Sequence, residues 1–325
     1  MTGRSERLFR EYSRESEKAL LTGVENDASF LPARKGEKDM SLNISALRKK
    51  FVAEISGSPR DLLTERGGHY LQKALAAHAV LVIRGLELDP AEHLGLTRFL
   101  GRPETVTDLL NQHPDSDEIL VVDNCGAAPV VGNQYWHSDR SFLARPTRHT
   151  LLRAAVVPDR GGDTLFADMT GAYAQAPPSW REALCTAAGV HTYDRLALLR
   201  STIHRRPVES GYAEKYPAVR HPLVRVHPES GDPAFYLNEL CATGIEAPDG
   251  AFIGIPLEKL NAYATEERFV YRHRWQAGDL LIWDNARVMH RADELPPGLA
   301  RVLHRTTTSG CRPRFARHLG ATAGT

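Results

Sequence analysis

The sequence predicts a mainly β domain with flanking helices, an α+β chain whose core is two sheets wound as a jelly roll. Three observations carry this. From Glu118 onward, short apolar runs of strand length recur, separated by Gly, Pro, Asn and Asp. Helical patterns interrupt these runs irregularly and do not alternate with them, which argues against repeated βαβ units. The 325 residues are 42% apolar, enough for one large domain with a substantial core.

Taken in order, residues 1–55 read as a polar, helix-forming N-terminal extension, broken at Leu31-Pro32-Ala33-Arg34-Lys35-Gly36. The main domain is expected over residues 56–325. Residues 61–77 suggest a helix interrupted by Gly67-Gly68. The run Ala79-Val80-Leu81-Val82-Ile83-Arg84, ended by Gly85, suggests a buried strand. Asp89, Pro90 and Glu92 mark a helix start, with Leu94, Leu96, Phe99 and Leu100 following and Gly101 as the stop. Further strands are expected at 119–122, 150–156, 164–166, 223–226, 234–237 and 280–283, with a hairpin connection at Gly231-Asp232-Pro233. Two helical segments are expected, one following 168–173 and including 178–187, the other at roughly 255–269. Residues 195–222, rich in cations and aromatics (His204, Arg205, Arg206, Tyr212, Lys215, Tyr216, Arg220, His221), are either a lid over a site or a solvated insertion.

Bulk properties exclude several classes. With 41 basic and 40 acidic residues the net charge is +1, so charge-driven binding to nucleic acid or a membrane surface is not expected. There is no run of about 18 apolar residues. The N-terminus is charged throughout and has no apolar signal region, which predicts a cytoplasmic protein. Cys125, Cys185, Cys241 and Cys311 lack CxxC spacing and read as free thiols.

The chemistry-bearing residues lie in two distant stretches. Trp136-His137-Ser138-Asp139 offers an imidazole and a carboxylate two residues apart, which a strand would aim at one point. Alone, such a tripeptide is usually a surface pair. About 150 residues later an apolar strand and the turn Trp283-Asp284-Asn285 deliver His290. Two His and one Asp on one face of a metal leave adjacent positions open, the facial set of non-haem Fe(II) oxygenases. Arg301 follows His290 by eleven residues and Arg305 by four more; each could grip a carboxylate bidentately or lie solvated on the surface. Neither Asp163 nor Asp168 reads as an acid–base group; turn and helix-capping duties suit them better. His304 should face away from Arg305 across its strand.

Together, Ala79–Gly85, Trp136-His137-Ser138-Asp139, Gly161-Gly162-Asp163-Thr164, Trp283-Asp284-Asn285 and His290 with Arg301 and Arg305 resemble the TauD/TfdA family of Fe(II)- and 2-oxoglutarate-dependent dioxygenases. The resemblance spans roughly residues 75–310. It implies a double-stranded β-helix core of cupin type. It further implies that His137, Asp139 and His290 hold Fe(II), and that Arg301 and the Thr164 hydroxyl bind the distal carboxylate of 2-oxoglutarate. Arg305 and Asn133 would meet the primary substrate. Thr164 could equally be a strand residue after a Gly-Gly turn, and Asn133 a turn residue after Gly132. With O2 as the other co-substrate, the implied reaction oxidises a substrate C–H bond while 2-oxoglutarate is converted to succinate and CO2. A carboxylate at Asp139 favours hydroxylation over halogenation. The implied substrate is a small, anionic molecule, with natural-product tailoring as one setting and homo-oligomerisation left open. Two alternatives stand beside this reading: an inactive jelly-roll binding protein, and a cupin-type metal-dependent hydrolase or isomerase.

Overall fold

A computed structural model of the protein describes residues 42–106, 111–124, 130–205, 207–208, 210–251 and 253–316. The expectation for residues 1–41 lies outside the described residues. The strand Leu280–Asp284 is buried along its whole length, as its unbroken Leu-Leu-Ile-Trp run requires. It pairs antiparallel with Val80–Ile83 on one side and His149–Val156 on the other. Around it the large sheet runs in spatial order Asn43–Arg48, Val52–Ser56, Val80–Ile83, Leu280–Asp284, His149–Val156, Val302–Thr307, Ser116–Asp123 and Gln112–His113. A smaller sheet is made of Val270–His273, Thr164–Asp168 and Val288–Ala292.

The two sheets share a core. Val80, Val82, Leu120, Val122, Leu152, Ala154, Leu281, Trp283 and Leu303 from the large sheet form one buried cluster with Phe166 and Val288 from the small one. Phe166 meets the Trp283 ring edge-on at 5.3 Å. Alternation along each strand does the sorting. In Val302–Thr307, Leu303 enters this core, so Arg305 projects to the same side and His304 to the other. The helices Glu65–Ala77 and Pro90–Leu100 serve the large sheet; Thr97 Oγ1 lies 2.7 Å from Thr306 Oγ1.

Three features depart from the sequence expectations. The sheet begins at Asn43, so residues 43–55, assigned above to a helix-forming extension, supply most of two strands; Val52–Ser56 runs parallel to Val80–Ile83. Val52, Ala53 and Ile55 are buried, a short apolar set masked by the polar sequence before it. Gly67-Gly68 does not break its helix, because both glycines lie at close approaches: a Cβ on Gly68 would sit 2.4 Å from the Phe99 ring. Residues 255–269 form two pieces, the helix Leu257–Ala264 and a 3-10 turn at Glu267–Phe269. The capping box of Asp89 and Glu92 and the N-cap at Asp168 appear as expected. Among the described residues, no helix is long and apolar enough to cross a membrane.

The end of the central strand is pinned electrostatically. Asp284 accepts from Arg148 at 2.9 Å and from His227 Nε2 at 2.7 Å, all three buried. Burial alone would raise the Asp284 pKa, but the Arg148 charge and the His227 hydrogen bond outweigh it and hold the carboxyl well below the usual range. A depressed carboxyl stabilises the fold above its unfolded pKa and loses that contribution as pH falls. Denaturant unfolding should therefore show stability declining below about pH 4. Asp284→Ala should cost about 3 kcal/mol near neutrality by leaving Arg148 buried without its closest counter-charge, and should flatten that acid slope.

Candidate metal centre and active site

His137 and His290 stand directly opposite one another in an isolated antiparallel bridge. The His137 N–H donates to the His290 carbonyl at 3.0 Å, and the His290 N–H to the His137 carbonyl at 2.8 Å. Opposed residues project to one face, and the two rings lie 4.2 Å apart at 45°. Only His137 is bridged; the chain then turns, with Arg140 at φ 52°, and this turn carries Asp139 back beneath the rings. The H-x-D segment is therefore a bridge followed by a turn where the sequence suggested a strand end.

The Nε2 atoms of His137 and His290 lie 4.0 and 3.9 Å from Asp139 Oδ1. That is too far for hydrogen bonds, but an ion between them spans it with bonds of about 2 Å each. The three ligand atoms fall within 4.8 Å of one another, the only such group of three among the described residues, and all three side chains are buried. His137 Nδ1 lies 2.7 Å from the Tyr135 carbonyl, so it carries the proton and leaves the Nε2 lone pair facing Asp139. Burial lowers the pKa of both imidazoles, that of His290 to about 3, so both are neutral. Burial pushes Asp139 upward, but the Arg305 charge, helped by the Thr150 hydrogen bond, outweighs it, and the carboxyl is held well below its usual range. Two neutral nitrogens and one carboxylate oxygen, dry and convergent, suit Fe(II).

Beside the ligands, a small cavity is lined by His137, His290, Trp283, Leu152, Thr164, Asn133, Arg301 and Arg305. Arg301 is buried, and no carboxylate lies within ion-pair distance among the described residues. Its guanidinium donates to the Gly162 carbonyl. The glycine run before Thr164 now has a reason: Gly162 has φ +66°, and a Cβ there would come within 3.1 Å of the Arg301 side chain. Thr164 Oγ1 accepts from Trp275 Nε1 at 3.1 Å, which leaves the hydroxyl proton for another acceptor.

A second cavity, about 110 Å³, is lined by both His137 and Asp139. It shares Asn133, His137 and Arg305 with the first. Arg305 Nη1 donates to Asp139 Oδ1 at 3.2 Å, while its buried Nε has no partner. Phe142, Tyr193 and Tyr216 form an aromatic wall, with ring centroids 4.6 to 5.3 Å apart. Leu196, Leu240, Arg140 and Arg200 also line this space. Within residues 195–222, Leu196, Arg200 and Tyr216 line it; Lys215, Arg205 and Arg220 do not, and Arg220 pairs with Glu246 at the surface. His191 and His221 are buried beside Ser141, away from the ligand set. Phe142, Tyr193 and Arg200 went unnoticed in the sequence, although Tyr193, Leu196 and Arg200 follow one helical face.

The chain has known relatives. The family model described as "Taurine catabolism dioxygenase TauD, TfdA family" matches residues 43–307. An alpha-ketoglutarate-dependent 2,4-dichlorophenoxyacetate dioxygenase of Burkholderia sp. (strain RASC) is 32% identical over 85% of this chain and 97% of its own length. Pentalenolactone F synthase of Streptomyces arenae is 30% identical over 72% of this chain and 84% of its own. The crystal structure of AAD-2 with Mn(II) and N-oxalylglycine superposes with a TM-score of 0.67 at 28% identity, covering 84% and 98% of the two chains.

Proposed function

The chain belongs to the TauD/TfdA family of Fe(II)- and 2-oxoglutarate-dependent dioxygenases, and on that premise we propose how its residues divide the work of oxidising a C–H bond in a small anionic molecule. His137, Asp139 and His290 hold the Fe(II). The single observation that carries this is the convergence of their three ligand atoms in one buried place. Bound Fe(II), with O2 and 2-oxoglutarate, supplies the oxidising power, and decarboxylation to succinate and CO2 accompanies oxidation of the substrate.

The remaining residues bind, orient and exclude. Arg301 takes the distal carboxylate of 2-oxoglutarate, a role supported by its burial without an acidic partner. Thr164 donates its hydroxyl proton to the same carboxylate, because Trp275 already occupies its oxygen as donor. Trp283 and Leu152 wall the co-substrate from water. Arg305 and Asn133, which border both cavities, meet the primary substrate. Phe142, Tyr193, Tyr216 and Leu240 favour a substrate with an apolar body, and Arg305 with Arg140 favours an acidic group on it. The Burkholderia relative, named for an aryloxyacetate, supports an anionic substrate. Natural-product tailoring is a second reading, favoured by the Streptomyces relative named for a pentalenolactone.

Anaerobic addition of Fe(II) and 2-oxoglutarate should produce a weak visible charge-transfer band, and O2 should then release succinate. An intact, metal-loaded protein giving neither would end this reading. His137→Ala should abolish the band. Arg301→Ala should weaken 2-oxoglutarate binding by roughly 10- to 100-fold, the value of a charge-assisted hydrogen bond. Arg305→Ala should reduce the band shift caused by anionic substrate candidates more strongly than it weakens 2-oxoglutarate binding; an unaltered shift would remove Arg305 from the substrate site.

A further inference from the structure

The turn Trp283-Asp284-Asn285 contains one residue without an assigned duty. The Trp283 ring lies 4.6 Å from the His290 ring, and Asp284 anchors Arg148. Asn285 is left, 2% exposed. Its Oδ1 accepts from the Asp139 backbone N–H at 3.1 Å and from Trp283 Nε1 at 3.2 Å. Both partners can only donate, so the amide orientation is fixed and Nδ2 must face the other way. There it donates to Thr150 Oγ1 at 2.9 Å. The Thr150 hydroxyl, itself fully buried, must in turn direct its proton to Asp139 Oδ2 at 2.6 Å. Thr150 sits opposite Trp283 in the pairing of the two central strands, so the relay is built into the rigid middle of the sheet.

The two oxygens of Asp139 are therefore unequal. Oδ1 faces both imidazole Nε2 atoms, and Oδ2 is turned to Thr150. We propose that Asn285 and Thr150 are positioning residues that restrict Asp139 to one oxygen at the metal, so that the coordination position a second oxygen would fill stays open for 2-oxoglutarate or O2. This deepens the proposed function and rests on Asp139 being a ligand. A carboxylate can bind a metal through one oxygen or two, and a facial set is useful only while its vacant positions stay vacant. Neither Asn285 nor Thr150 touches the metal; both act through Asp139, as hydrogen-bonded partners of metal ligands generally do.

Thr150→Val keeps the shape and removes the proton donor; Thr150→Ser restores the donor. The proteins are compared by near-ultraviolet circular dichroism for folding, by the visible absorption of bound Co(II), and by 2-oxoglutarate titration of the Fe(II)-loaded protein. Thr150→Val should bind Co(II) with an altered spectrum and bind 2-oxoglutarate roughly tenfold more weakly, within the range for losing a ligand's supporting partner, with Thr150→Ser restoring both. If Thr150→Val fails to fold, Thr150→Ala is read by the same two measurements. A folded variant whose Co(II) spectrum and 2-oxoglutarate affinity equal those of a wild type that binds both would overturn the relay and leave the ligand assignment standing. A wild type that binds no Co(II) would overturn the ligand assignment and the relay with it.

Discussion

Everything at the centre depends on two backbone hydrogen bonds, those that hold His137 and His290 opposite each other. They tie together segments about 150 residues apart and fix both imidazoles on one face before any metal arrives. Side chains alone could not hold that geometry cheaply, since each would lose rotamer freedom on ordering. The sheet core supplies rigidity from below: Phe166 is paired with His290 across strands and packs against Trp283, which in turn touches the His290 ring. The site is therefore a property of the two-sheet architecture and is not confined to a loop.

Burial gives that geometry its chemistry. Removing water keeps both imidazoles neutral, as metal ligands must be, while the Arg305 charge and the Thr150 hydrogen bond keep Asp139 ionised in the same dry space. Arg301 is the counterpart at the far end: a buried cation whose nearest described partner is a carbonyl. The small cavity beside the ligands has His137 and His290 in its lining at the ligand set and Arg301 in its wall as well. Membership of a family of 2-oxoglutarate-dependent dioxygenases accords with that arrangement.

Much of this was legible in the sequence, for physical reasons. Apolar runs at strand length gave the central strands; His137, Asp139 and His290 stood out as a possible facial ligand set, and Arg301 and Arg305 through their spacing after His290 in the family pattern. The strands at 43–56 were not legible, because a few buried residues in a polar context have no clear period. The aromatic wall was only partly legible: Tyr216 stood among the aromatics of the candidate lid, but Phe142 and Tyr193 join it only in three dimensions, where a turn packs against the segments around Tyr193 and Tyr216. Thr150 was hidden for another reason: in the sequence it is simply the start of a strand, and its hydroxyl acquires meaning only opposite Trp283.

One irregularity has a broader consequence. The pairing of Val302–Thr307 with His149–Val156 shifts register between Val302 and Leu303, between the two arginines. Beyond that point, adding or deleting one residue would exchange inward Arg305 with outward His304 and withdraw the Arg305 guanidinium from the site. At the irregularity itself the ladder is already out of step, so a change of length there could move Arg301 without disturbing Arg305. The fold thus carries a seam at which the placement of Arg301 and that of Arg305 are set separately.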